Sequence, residues 1–265
     1  MPKLILVFFA VLTIIISCNN KDHDKQLNGT GVNREQILKD SIAKFPDLLL
    51  LKEELIQLYR DSAEYNKAIA AANDALLTDS LNARLWDIKA TLYFENEDTL
   101  RAIQSFERAL RLNPSPRYLI LLGSLYAQTK NNRALMIADA LAKTKLPETE
   151  KEAFFITGLY HNYTGDKTAA IAALDKCLNL DNRHMFAYRE KAIAFYDLGK
   201  YADALSVLNK AVTLQNNFDE GYYWMGRCLE KLNKPNDAKD AYSMALLYAP
   251  DYVEAKDALT RLGVK

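Results

Sequence analysis

Three cysteines and three histidines in 265 residues leave little room for a disulfide framework or a metal centre. His23, His161 and His184 show no spacing suited to holding a metal ion. There is no excess charge of either sign. Lys plus Arg and Asp plus Glu each number 34, so the chain lacks the basic field that a nucleic-acid binder needs. Glycine-rich phosphate loops and a G-x-S-x-G turn are absent as well. No apolar run reaches the roughly 20 residues that a bilayer-spanning helix requires. A composition 49% hydrophobic and 26% charged is that of an ordinary globular protein.

What the chain has is a period. Tyr222, Met225-Gly226, Leu229, Ala238, Tyr242, Ala245 and Pro250 are matched one interval upstream by Tyr188, Lys191-Ala192, Phe195, Ala204, Leu208, Ala211 and Asn216. The interval is about thirty-four residues. Further back come Phe154, Thr157-Gly158, His161, Ala170, Leu174, Cys177 and Asn182, and then Trp86, Lys89-Ala90, Tyr93, Ala102, Phe106, Ala109 and Pro114. The first copy is Lys52, Leu55-Ile56, Tyr59, Ala68, Ala72, Ala75 and Ser80. Between these last two and the rest lies a copy with Leu119, Leu122-Gly123 and Tyr126 in phase and a slip near Asn131-Asn132. Apolar residues three, four and seven apart predict helices, broken at points such as Leu198-Gly199-Lys200. Small residues at the eighth and twentieth places let paired helices approach closely, and Pro114 and Pro250 end the second helix. Hairpins this short cannot bury their apolar faces alone, so they must stack.

These residues resemble the tetratricopeptide repeat (TPR) pattern of Trp, Leu-Gly, Tyr, Ala, Phe, Ala, Pro, over roughly Leu49 to Tyr252. Lys52, Lys191 and Thr157 depart from it. The expected fold is an all-α solenoid of about six TPR hairpins with capping helices. The units lie near 49–82, 83–115, 116–150, 151–184, 185–218 and 219–252 within a solenoid spanning 47–252. A capping helix is expected over 33–46, where Ile37, Ile42 and Phe45 precede Pro46. A second is expected over 253–265, carrying Val253, Ala255, Ala258, Leu259 and Leu262. Lys145 to Glu150, with Pro147, reads as a connection between the third and fourth units.

Residues 1–18 are a different object. Lys3 precedes an apolar run from Leu4 to Ile16, the form of a signal peptide. The run ends in Ile15-Ile16-Ser17-Cys18, which resembles the lipobox of bacterial lipoproteins and implies acylation of Cys18. Ordinary cleavage near Ser17 and an uncleaved anchor are the alternatives. Residues 19–32 are polar and contain Gly29 and Gly31, a flexible tether. Asn19, in place of the aspartate of inner-membrane lipoproteins, leans the resemblance toward the outer membrane. The acidic pair Asp22 and Asp24 leaves display at the cell surface as the alternative to a periplasmic face.

In the TPR family the second, fifth, ninth, twelfth and thirteenth positions of each first helix line a concave groove. The resemblance therefore implies a protein- or peptide-binding surface. Its candidates are Arg84, Asp87 and Phe94 in the second unit, Phe155 and Tyr163 in the fourth, Arg189 and Tyr196 in the fifth, and Tyr223 and Arg227 in the sixth. Large aromatics with interspersed arginine are enriched at interfaces, and Arg189 and Arg227 suit a partner's carboxylate. About half of these aromatics are expected to pack between repeats instead. Glu53 and Gln57 stand where chaperone-binding TPR domains carry a carboxylate clamp, so that clamp is absent in its usual form.

The expected function is a non-enzymatic, lipid-anchored scaffold that recruits another envelope protein. It needs no cofactor or metal, binds no nucleic acid, and has an undetermined oligomeric state. Capture of a glycan or peptide at the surface is the alternative. A cryptic hydrolase built on Cys177 and His161 is the remaining reading, against which both residues sit where the repeat wants packing groups.

Overall fold

In a computed structural model, residues 33–263 are described; Cys18, its leader and the tether lie outside them. The described residues form fourteen helices and no strand. None of these helices is long and apolar enough to cross a membrane. The chain divides into two compact units, Met1–Pro114 and Ser115–Lys265.

The first unit begins with α1 (Arg34–Lys44), capped by the Asn33 side chain, which accepts from the Glu35 N–H at 3.0 Å. Two hairpins follow: α2 (Leu49–Asp61) with α3 (Tyr65–Thr78), and α4 (Ala83–Glu95) with α5 (Thr99–Leu112). Leu38 of α1 packs into one core with Leu55, Ile56, Tyr59, Ala68, Ile69, Ala72 and Leu92. The Tyr59 hydroxyl donates to Glu35 at 2.8 Å and ties α1 down. This is how a preliminary helix covers the open face of a first repeat.

The second unit contains four hairpins and a last helix. They are α6 (Pro116–Gln128) with α7 (Arg133–Ala142), α8 (Pro147–Thr164) with α9 (Lys167–Leu180), α10 (Met185–Asp197) with α11 (Tyr201–Leu214), and α12 (Asp219–Lys231) with α13 (Pro235–Tyr248). Helix α14 (Val253–Arg261) buries Ala255, Ala258 and Leu259 against α13. The stretch read as a connection at Lys145–Glu150 is corrected: Pro147 is the first residue of α8, where a missing N–H costs nothing. Close approach within hairpins is tight at two glycines. A Cβ on Gly226 would lie 2.6 Å from the Tyr242 ring, and one on Gly158 2.6 Å from Leu174.

Every hairpin but the fourth turns the same way between its two helices. Ala63, Glu97, Lys130, Gly199 and Asn233 each adopt a left-handed φ between 56° and 73°. The next N–H then reaches back to the carbonyl of a buried or half-buried residue, as in Glu64 N to Tyr59 O and Lys234 N to Leu229 O. That backbone return is the usual closure of a helix C-terminus, and four of these five positions are not glycine.

Candidate functional site

The first helices of the hairpins, α2, α4, α8, α10 and α12, carry the positions expected to line a groove. Within each unit these helices are cross-linked by a polar ladder. The second position of one helix meets the fifth position of the helix before it in both units, and in the second unit the ninth meets the twelfth. In the first unit the Arg84 guanidinium forks onto Glu53 at 2.9 and 3.0 Å, with the arginine side chain 72% exposed. Arg60 pairs with Glu95 on the same pair of helices. Asp87 is partly buried and its carbonyl accepts from Thr91; Phe94 is partly buried.

In the second unit the rung has the opposite polarity and lies inside. Arg189, 1% exposed, donates to both oxygens of Glu220 at 2.6 and 2.7 Å and to Glu190 at 2.9 and 3.1 Å. Burial pulls the pKa of Arg189 down, but the facing carboxylates of Glu190 and Glu220 outweigh it, and the guanidinium stays charged. Burial pushes the Glu220 carboxyl up, against the pull of Arg189. Asn162 of α8 donates to the carboxylate and carbonyl of Glu190 at 3.0 and 3.1 Å. Lys167 in turn donates to Asn162 and sits 2.6 Å from Asp197. Three consecutive first helices are thus joined through the Arg189–Glu190 pair of the middle one. Arg189 is committed to this network and offers no free fork to a partner.

Phe155 is likewise fully buried, its ring 4.7 Å from His184. His184 caps α10, its Nδ1 accepting from the Ala187 N–H at 3.1 Å. Tyr163 is half-buried, and burial, with Glu190 next, pushes its hydroxyl up to about 12.

Toward the C-terminal repeats the ladder becomes aromatic. Arg227 lies 4.5 Å over the Trp224 ring and 4.9 Å over Tyr196, whose hydroxyl is 3.4 Å from its Nη2. Tyr196 meets Trp224 edge-on at 5.6 Å, and Tyr223 meets Trp224, Tyr242 and Tyr252 at 5.9, 5.7 and 5.0 Å. The last rung runs from Glu230 to Arg261 at 2.7 and 2.9 Å, so α14 is docked in the register of a further first helix. Sequence reasoning missed Glu190, Trp224, Tyr252 and Arg261. A search for opposite charges thirty-one residues apart finds three of the rungs: Glu53 with Arg84, Arg189 with Glu220, and Glu230 with Arg261.

The burial of Cys177 stands against the nucleophile reading. Cys177 is fully buried, and burial, with the Glu152 and Asp181 carboxylates adding, pushes its thiol up to about 12. Cys228 is pushed to about 12 by burial as well, and both cysteines are free thiols. A thiol so far above neutrality supplies no thiolate.

Family models described as "Tetratricopeptide repeat" match residues 195–262 and residues 54–115 and 89–134. One described as "Anaphase-promoting complex, cyclosome, subunit 3" matches 127–211. A curated relative, the "BBSome complex member BBS4 homolog" of Drosophila melanogaster, is 26% identical over 193 residues, 69% of this chain. The match spans only 38% of that relative's length. Among solved structures, a tetratricopeptide repeat protein from Parabacteroides merdae superposes with a TM-score of 0.72 at 21% identity, covering 92% of this chain and 96% of that one. PilW, described as a widely conserved type IV pilus biogenesis factor, gives 0.58 at 22%, covering 80% and 99%. With the period, the paired helices closing at Gly158 and Gly226, and these matches together, the chain is a tetratricopeptide repeat protein.

Proposed function

We propose that this chain is a non-enzymatic scaffold that binds a protein or peptide partner on the face formed by α8, α10 and α12. The carrying observation is the set of partly exposed Tyr163, Tyr196, Tyr223 and Arg227 on the first helices of three successive hairpins. Aromatic surface backed by fixed neighbours contributes contact area at small entropic cost, and Arg227 is the one arginine of the set, with no carboxylate rung of its own. A segment with apolar anchors and an acidic group fits this chemistry. Phe155 and Arg189 shape the face from beneath. In the first unit Arg84, Asp87 and Phe94 lie on α4 and are candidates on family position alone.

The proposal extends to an anchor, an acylated Cys18 holding the chain to a bacterial envelope membrane, with residues 19–32 as tether. Lipobox and apolar leader support it. Pull-down from solubilised membranes with the full chain tests the binding face. A defined partner should be recovered and should be lost with Tyr223→Ala plus Arg227→Ala, the folded state checked by circular dichroism. Unchanged recovery by that variant overturns the face. Incorporation of labelled fatty acid that survives Cys18→Ala overturns the anchor.

A further inference from the structure

The second repeat holds a pocket of about 410 Å³ on the flank of its hairpin, away from the groove positions. Trp86, Lys89 and Tyr93 of α4 and Arg101, Arg108 and Arg111 of α5 line it, and no acidic residue does. Lys89 stands at the seventh position, where the TPR pattern places leucine. Its ammonium lies 4.8 Å over the Trp86 ring and 5.8 Å over Tyr93, with the Arg101 guanidinium 5.7 Å from Tyr93. Two carboxylates approach this cluster from outside it, Asp98 at 3.4 Å from Arg101 and Glu107 at 4.0 Å from Arg111. Lys89 and Arg108 remain as two positive charges in excess.

The fifth repeat supplies an internal control. Lys191 occupies the same seventh position and lies 5.8 Å over Phe195, but it donates to Asp175 at 2.5 Å. Asp175 lies on the second helix of the preceding repeat, and the equivalent residue preceding the second repeat is Asn73; within the fifth repeat the places of Arg101, Arg108 and Arg111 are taken by Asp203, Lys210 and Thr213. A lysine at this position is therefore neutralised within the fold in one repeat. In the other it is surrounded by further cations. Burial lowers the pKa of the Lys89 ammonium.

The geometry points to an anion site for a phosphate monoester, whose dianion matches the two uncompensated charges of Lys89 and Arg108 in an open surface pocket. Arg108 presents a fork to the phosphate oxygens and Lys89 a point charge above the ring floor. The body of the ligand leaves the pocket past Trp86 and Tyr93. A free sugar phosphate and a lipid headgroup share this chemistry.

Trp86 is one of two tryptophans in the chain, so its fluorescence reports occupancy. Full chain titrated with glucose 6-phosphate at low salt should show a saturable change, with glucose inert. Affinity should fall below about pH 6, where the phosphate loses its second charge. Lys89→Gln and Arg108→Gln should each weaken binding roughly tenfold or more, and Lys89→Arg should restore most of it. A parallel arm compares sedimentation with phosphatidylcholine vesicles with and without phosphatidic acid. An increment due to phosphatidic acid, abolished by Lys89→Gln and by competing glucose 6-phosphate, assigns the site to a headgroup. Its absence alongside sugar-phosphate binding assigns it to a soluble ester. No saturable change with either probe overturns the site. So does equal binding by the Gln variants, or tighter binding of polyglutamate with the same dependence on Lys89.

Discussion

The second and fifth repeats are written on one template and dispose of their charges in opposite ways. At the rung between second and fifth positions, the second repeat sets Arg84 in solvent over Glu53, whereas the fifth sinks Arg189 between Glu190 and Glu220. At the seventh position the roles reverse: Lys191 has its carboxylate, and Lys89 has only rings and more cations. The same backbone positions thus carry a solvated ion pair, a structural staple or a cation with no carboxylate at hand. What decides is the number of carboxylates within reach and the water that is excluded. Position in a repeat tells where a side chain points, and its neighbours tell what it is for.

The largest expected effect breaks the rung comparison. Arg189→Ala leaves two carboxylates buried without their cation and should destabilise the second unit by about 3–5 kcal/mol. Arg84→Ala removes a mostly exposed pair and should cost no more than about 1 kcal/mol. Thermal melts followed by circular dichroism compare the two; similar losses would mean that burial does not distinguish the rungs. Next comes Gly226→Ala, which drives a methyl into the Tyr242 ring and should cost about 1–3 kcal/mol. Replacement at Gly199, which has open space around its Cβ and a left-handed φ, should cost less, about 1 kcal/mol.

Smaller still is the lysine pair. Lys191→Met should lower stability by less than about 1 kcal/mol, because it removes a partly exposed ion pair. Lys89→Met should leave stability unchanged or raise it, because it relieves a desolvated charge. A loss at Lys89 equal to that at Lys191 would show that the fold itself compensates both. The fourth test separates structure from chemistry. Cys177 and Cys228 should resist a thiol reagent at pH 8 in the folded chain and react in denaturant, since their thiols titrate near 12.

Much of this was legible in the chain. Helices starting at Leu49, Ala83, Met185 and Asp219 follow from apolar residues recurring three, four and seven apart. Pro147 misled because proline marks either a break or a helix start, and only the packing of Thr149 and Ala153 decides. Arg189 and Phe155 were read as facing a ligand because family position fixes direction and not depth. The depth depends on Glu190, Glu220 and His184, which lie on neighbouring turns or in the next repeat. The pocket around Lys89 was visible only as a departure from leucine, since Arg101, Arg108 and Arg111 belong to the opposite helix.

The left-handed residues between paired helices carry a last consequence. Alanine, glutamate, lysine and asparagine hold a conformation at Ala63, Glu97, Lys130 and Asn233 that costs an L-residue roughly 1–2 kcal/mol each. The bend is thus dictated by the helices on either side and endured by whatever sits at the corner. These four corners are untapped reserves: writing glycine into them should harden the protein against heat without touching either proposed binding face.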